Sequence, residues 1–207
     1  MSLNNLFIQY CSIYNNCKSQ EFNDKLNKLA KLYEIKETHT QNNLQFHSEY
    51  GILQQDKNET FQELRQLFFD KLEEHLQKVE EIPFELFNDN CEDPKSKGHT
   101  LKDIKSWCLV QRENAYAAIH THYNINYTLV YYSKVLNAPS PQGYLEVVDP
   151  NLFNSFGRHK QESFYIKPEV GMLVILPGYI PHMTHPIFVK EQERISWVCD
   201  FVNHEIF

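Results

Sequence analysis

Cysteine pairs, long apolar runs and excess positive charge are all missing from this chain. The five cysteines, Cys11, Cys17, Cys91, Cys108 and Cys199, are scattered, odd in number and without a C-x-x-C pair. A disulfide framework or a cysteine zinc knuckle is therefore not expected, and a reducing, cytoplasmic setting is the default. Cys108 and Cys199 lie in apolar stretches and read as buried core thiols rather than nucleophiles. No run of about eighteen apolar residues occurs, so no transmembrane helix and no membrane partner are expected. Met1-Ser2-Leu3-Asn4-Asn5 lacks the basic and then apolar pattern of a secretory signal. The formal net charge of −7 argues against nucleic acid as a partner. It leaves room for a local basic pocket that takes a small anion. Internal repeats and low-complexity segments are absent as well.

What is there is a folded, aromatic-rich chain. It has 207 residues, 42% of them hydrophobic, with 14 Phe and 12 Tyr. That is too apolar for disorder and long enough for one domain with a real core. We read residues 1–207 as a single domain whose character changes near residue 95. In the front part, 1–95, apolar residues recur at helical spacing. One stripe is Phe22, Leu26, Leu29, Ala30 and Tyr33; the other is Phe61, Leu64, Leu67, Phe68, Leu72, Leu76 and Val79. Thr60-Phe61-Gln62-Glu63 has the pattern of a capping box at the start of the second helix, and Pro83 marks its end. Both stripes are expected to pack on a sheet, as a mostly helical buttress. Residues 87–102 read as a polar loop.

The back part, 104–202, is a series of short strand candidates: 104–110, 116–122, 127–132, 143–149, 163–167, 172–176, 183–189 and 195–202. β-Branched and aromatic residues fill them, and Gly, Pro and Asn cluster between them. Many short strands without intervening helices predict a mainly β fold with flanking α, of sandwich or jelly-roll type.

Within those strands stands His120-Thr-His122, followed much later by His182 and then Arg194-Ile195-Ser196. Residues two apart on a strand share a face, so His120 and His122 are expected on one side of the sheet. A third histidine can close a facial metal site with open positions, the arrangement a non-haem iron oxygenase needs. An arginine beyond it can grip a carboxylate bidentately. Taken singly, a histidine reads as an ordinary core or surface residue, Arg194 as an ion pair with Glu191 or Glu193, and Tyr132 as a core aromatic. The combination carries the metal reading. Imidazole suits Fe, Zn, Cu and Ni alike, so the ligand type does not name the metal.

Residues 104–202 resemble the iron(II)/2-oxoglutarate-dependent dioxygenase superfamily, and within it the small 2OG-Fe(II) oxygenase family of marine bacteria and phages. The resemblance rests on His120-Thr-His122, Val130-Tyr131-Tyr132, Gly143-Tyr-Leu145 with Asp149-Pro150, Gly171-Met-Leu173, Pro177, His182, Pro186 and Arg194-Ile195-Ser196. It implies a double-stranded β-helix (a jelly roll, cupin-like) buttressed by the N-terminal helices. It implies Fe(II) as cofactor and 2-oxoglutarate as cosubstrate. The cosubstrate would become succinate and carbon dioxide while a substrate C–H bond is hydroxylated. His120 and His182 take the places of the two histidine ligands. Arg194 and Ser196 would bind the distal carboxylate of 2-oxoglutarate, and Tyr132 stands where related prolyl hydroxylases have a tyrosine for the same carboxylate.

One position departs from the pattern. The superfamily usually carries Asp or Glu where this chain has His122. The third ligand is then His122 itself, or Asp149 folding in, or water beside two histidines. Spacing favours His122, and Asp149-Pro150 reads more readily as a turn. His185 is expected to face away. A cupin-like metal protein that does not use 2-oxoglutarate is the alternative, and Arg194-Ile195-Ser196 is what separates the two. The substrate is expected to be a small or amino-acid-like molecule met by loops at 124–126, 138–142 and 151–161, the last bearing Arg158, His159 and Lys160. The aromatic content is compatible with a homodimer.

Overall fold

The computed structural model describes residues 11–34, 45–48, 50–55, 57–79, 104–150 and 163–201. Helix α1 spans Gln20–Leu32, α2 Ile52–Gln55 and α3 Glu59–Val79. The strands are β1 Ser12–Tyr14, β2 Gln45–His47, β3 Ile104–Gln111, β4 Ala117–His120, β5 Tyr127–Lys134, β6 Leu145–Val148, β7 Ser163–Ile166, β8 Leu173–Pro177, β9 His182–Thr184 and β10 Arg194–Phe201. They form two antiparallel sheets, a major one in the order β1-β8-β5-β10-β3-β2 and a minor one in the order β4-β9-β6-β7. This is the jelly-roll architecture expected from the strand-rich back half, with the helices packed on the major sheet.

The major sheet is buried on both faces because its sequence alternates two kinds of apolar residue set. On β10, Ile195, Trp197, Cys199 and Phe201 join the core beneath the helices, together with Leu129 and Tyr131 of β5 and Leu173 and Ile175 of β8. The intervening positions Val198, Val130, Tyr132, Val174 and Leu176 belong to a second cluster between the sheets, which includes Leu145 and Ile166 of the minor sheet. Successive side chains point to opposite faces, so each central strand serves both cores at once. Helix α3 supplies Phe61, Leu64, Phe68 and Leu72 to the first core, and α1 supplies Phe22 and Leu26. The Phe61 ring meets Trp197 with centroids 5.5 Å apart. Two polar ties fix the helix side: Tyr131 Oη donates to Asn23 Oδ1 at 2.5 Å, and Trp197 Nε1 donates to Ser133 Oγ at 3.0 Å.

Several boundaries differ from the sequence reading. Helix α3 begins at Glu59, and the Thr60 N–H is capped by Asn58 Oδ1 at 2.9 Å. Thr60 therefore lies inside the helix, and the cap falls to Asn58, which is equally able to accept from the second helical N–H. Helix α1 is capped by Ser19, whose hydroxyl accepts from Phe22 N. The front half also contributes β1 and β2 at the two edges of the major sheet. They are three residues each, too short for periodicity to reveal. Strand β4 stops at His120 and β9 at Thr184, shorter than the runs 116–122 and 183–189. Pro83 and the loops 87–102 and 151–161 lie outside the described residues. No described helix is long and apolar enough to cross a membrane.

His75 of α3 is buried among these elements, hydrogen-bonded to Ser12 Oγ at 2.7 Å and set edge-on to the Tyr127 ring. Desolvation holds its pKa below the usual value. The folded state then binds fewer protons than the unfolded one once pH falls below about 6.5, so stability is lost as pH drops through that range. Two measurements follow from this packing. Phe61→Ala should cost about 3–5 kcal/mol in urea unfolding, since a ring fully enclosed by Trp197 and its neighbours leaves a cavity. His75→Gln should flatten the decline in unfolding free energy between pH 7 and pH 5, because it keeps a polar partner for Ser12 and removes the titrating group.

Candidate metal centre

β4 and β9 are antiparallel neighbours in which His120 and His182 are register partners. Pairing alone therefore brings together two imidazoles far apart in the chain, with ring centroids 4.5 Å apart. His122 arrives differently. It lies past the end of β4, so period-two alternation on one strand does not place it. Its backbone N–H donates to Gly178 O at 2.8 Å, and Gly178 N–H donates to Asn126 O at 2.9 Å. These bonds fasten the loop after β4 to the turn after β8. The His122 ring sits 5.3 Å from His120 and 5.1 Å from His182. One nitrogen from each of the three histidines lies within 4.8 Å of the others.

The other ring nitrogens define the tautomers. His120 Nδ1 is 2.7 Å from Ala118 O, and His182 Nδ1 is 2.9 Å from Ile180 O. A carbonyl only accepts, so each Nδ1 carries the proton and Nε2 keeps its lone pair. His122 Nδ1 lies 2.7 and 2.9 Å from the two carboxylate oxygens of Asp200, with the same consequence. All three histidines thus offer a bare Nε2, the form a metal binds. Burial pushes the His182 imidazole down to about 3, helped by neighbouring His120, and lowers the His120 pKa in the same direction. Both are neutral at ordinary pH.

The histidines line a cavity of about 740 Å³ between the two sheets. From β10 it is lined by Arg194, Ser196, Val198 and Asp200, from β5 by Thr128, Val130 and Tyr132, and from β3 by Lys105, Trp107 and Leu109. Arg194 is 3% exposed and forms no ion pair with a described residue. Its Nη1 donates to Gln111 Oε1, and its guanidinium lies 4.8 Å from the centre of the Tyr132 ring. The ion pair with Glu191 or Glu193 that a surface arginine would make does not form. Glu193 instead meets Lys31, Lys134 and Arg112. Tyr132 Oη, Arg194 Nε and Ser196 Oγ are three of the four buried side-chain atoms without a hydrogen-bond partner among the described residues. An orphaned buried group costs about 1–3 kcal/mol. Three of them converging on one cavity beside an unneutralised guanidinium form a socket suited to a carboxylate.

Asp149 neither joins the histidine cluster nor lines the cavity. His185 is turned to the other side of the minor sheet, where Nε2 meets Glu146 Oε2 at 2.8 Å. The sequence reading passed over Asp200, Thr128, Gln111 and Trp107. Asp200 was within reach of it, because the alternation that groups Arg194 with Ser196 continues through Val198 to Asp200.

Residues 105–200 match the family described as "Putative 2OG-Fe(II) oxygenase". No curated protein matches the chain in sequence. In fold the chain is similar to a prolyl-4-hydroxylase from Pseudomonas putida, at TM-score 0.63 and 14% identity over 95% of this chain and 94% of that one. It is similar to a Trichoplax adhaerens prolyl hydroxylase solved with a hypoxia inducible factor peptide, at TM-score 0.61 and 14% identity over 94% of this chain and 84% of that one. HygX from Streptomyces hygroscopicus, solved with nickel and 2-oxoglutarate, aligns at TM-score 0.59 and 7% identity over 95% of this chain and 84% of that one. At such identities the likeness is one of fold.

The Gly178 turn yields a direct test. A Cβ on Gly178 would stand 2.3 Å from Ile125 O, so the loop carrying His122 would have to move. Gly178→Ala should weaken divalent-metal binding at least tenfold in calorimetry while the far-UV spectrum stays that of a folded protein.

Proposed function

We propose that this chain, whose residues 105–200 match the family described as "Putative 2OG-Fe(II) oxygenase", is a 2-oxoglutarate-dependent hydroxylase. Its metal is held by His120, His122 and His182. The observation that carries the reading is the pairing of two sites in one cavity, three bare imidazole nitrogens and an unneutralised buried arginine with orphaned hydroxyls. Three imidazoles are a suitable donor set for iron(II) and would leave further positions open for cosubstrate and oxygen. Iron(II) bound there would supply the oxygen-activating chemistry that couples conversion of 2-oxoglutarate to succinate and carbon dioxide with oxidation of a substrate C–H bond.

The protein's own groups divide the remaining work. Arg194 would take the distal carboxylate of 2-oxoglutarate, and the Tyr132 and Ser196 hydroxyls would donate hydrogen bonds to it, which gives all three orphaned groups a partner. Tyr132 stays a phenol, since burial raises its pKa against the opposing effect of Arg194. Val130, Leu145 and Val198 make the walls apolar and exclude water from the bound cosubstrate. Tyr50, Lys105, Trp107 and Tyr123 also line the cavity, with Tyr50, Lys105 and Tyr123 exposed to solvent, and we assign the substrate to that end. The similar Pseudomonas and Trichoplax proteins are prolyl hydroxylases, which supports a small or amino-acid-like substrate. The four described cysteines are free thiols, in keeping with a cytoplasmic setting.

A cupin-like metal protein without 2-oxoglutarate is the second reading, favoured by the all-imidazole donor set. One experiment separates the two. Under anaerobic Fe(II), the wild-type protein should bind 2-oxoglutarate with a visible charge-transfer band and a rise in Tm. Arg194→Ala should weaken that binding by about 2–5 kcal/mol, roughly 30-fold or more, and leave Fe(II) affinity unchanged. Metal binding without any response to 2-oxoglutarate would select the cupin-like reading.

A further inference from the structure

Asp200 makes every hydrogen bond it has as an acceptor. His122 Nδ1 lies within reach of both carboxylate oxygens, at 2.7 and 2.9 Å, and Thr128 Oγ1 donates to Oδ1 at 2.9 Å. A carboxylate only accepts, so this arrangement calls for the proton on His122 Nδ1. The group is buried, at 4% exposure, so its charge is directed at His122 rather than spent on solvent. His122, for its part, lies just past the end of β4 and would be the least constrained of the three histidines. It is instead fixed on three sides: Asp200 at Nδ1, Trp107 stacked on the ring at 5.8 Å with 20° between planes, and Gly178 O on its backbone N–H. Tyr50 closes edge-on against Trp107 at 5.5 Å.

We propose that Asp200 is the positioning residue of the metal centre. It holds His122 in the Nδ1-protonated tautomer, with Nε2 toward the metal, and supplies one step removed the negative charge that a carboxylate ligand would supply directly. The inference rests on the metal reading of the three histidines. It accounts for the histidine at the position where the resemblance leads one to expect Asp or Glu. The carboxylate is not lost from the site. It stands on β10, behind the imidazole, where it polarises the ring and sets its angle. Carboxylate–imidazole–metal relays of this kind change metal affinity by roughly 10–100-fold when the outer partner is removed. Asp200 also shares its strand and strand face with Arg194 and Ser196. One rigid strand therefore sets the position of both the metal ligand and the carboxylate socket.

The test uses the full chain and two readouts other than turnover. In the metal-free wild type at neutral pH, long-range ¹H–¹⁵N spectra should show His122 protonated at Nδ1 and bare at Nε2. Asp200→Ala should shift His122 toward the Nε2-protonated tautomer and weaken Co(II) binding by roughly 10–100-fold, with an altered visible Co(II) spectrum. Asp200→Asn keeps the shape and one acceptor oxygen, so it should keep the tautomer and lose only part of the affinity. Should Asp200→Ala fail to fold, the asparagine variant carries the test, and a wild-type Co(II) affinity and spectrum there would overturn the proposal. Wild-type affinity and spectrum in a folded Asp200→Ala protein would overturn it too, as would a wild-type His122 with its proton on Nε2. A wild-type protein that takes up no Co(II) or Fe(II) would instead overturn the metal reading on which the proposal stands.

Discussion

Everything in this molecule depends on the central strand β10 being enclosed on both faces. All eight of its residues are buried. The odd-numbered ones anchor the helices, through Trp197 above all. The even-numbered ones line the cavity, as Arg194, Ser196, Val198 and Asp200. A strand pinned this way cannot slip, because a one-residue shift would put Trp197 in the cavity and Arg194 among leucines. The packing of α1 and α3 on one face is therefore what gives the polar groups on the other face a fixed position. That rigidity is what allows a site to be assembled from residues so far apart in sequence.

The electrostatics of the cavity follow from the same enclosure. Desolvation lowers the pKa of His182 and His120, so these two imidazoles carry no charge to repel a cation. Arg194 keeps its charge in a place where described carboxylates do not reach it. Asp200 is occupied by His122 and Thr128, so it does not neutralise the arginine either. The cavity thus holds a set of imidazole donors and, at a separate point, a guanidinium that no described carboxylate meets. A chain with net charge −7 presents in this cavity a local demand for a carboxylate that its overall composition does not suggest.

Much of the fold was legible because the back half obeys simple periodicities. The runs 104–110, 127–132, 163–167 and 172–176 correspond closely to β3, β5, β7 and β8. The stripe from Phe61 to Val79 matches α3 because its apolar spacing is sustained over many turns. The misses have physical causes. β1 and β2 pair with β8 and β3 at the sheet edges, and so short a segment takes its conformation from its partner. Helix α3 starts after Asn58 rather than at Thr60, and since either side chain can cap, the residue types alone do not decide between them.

The sequence by itself determined the β-rich fold, the two-faced character of its strands and the identity of the groups that could bind a metal and an anion. Residue type and spacing carry that much, since side-chain alternation and donor chemistry are local properties. What only the tertiary structure decided is how those groups meet. His120 and His182 come together through strand pairing, and His122 through the backbone bonds of its loop to Gly178 rather than by sharing a strand with His120. Asp200 gained its place behind His122 for the same reason. Registers between distant strands and hydrogen bonds between separate loops are set by the closure of the whole barrel, and no local window of sequence contains them.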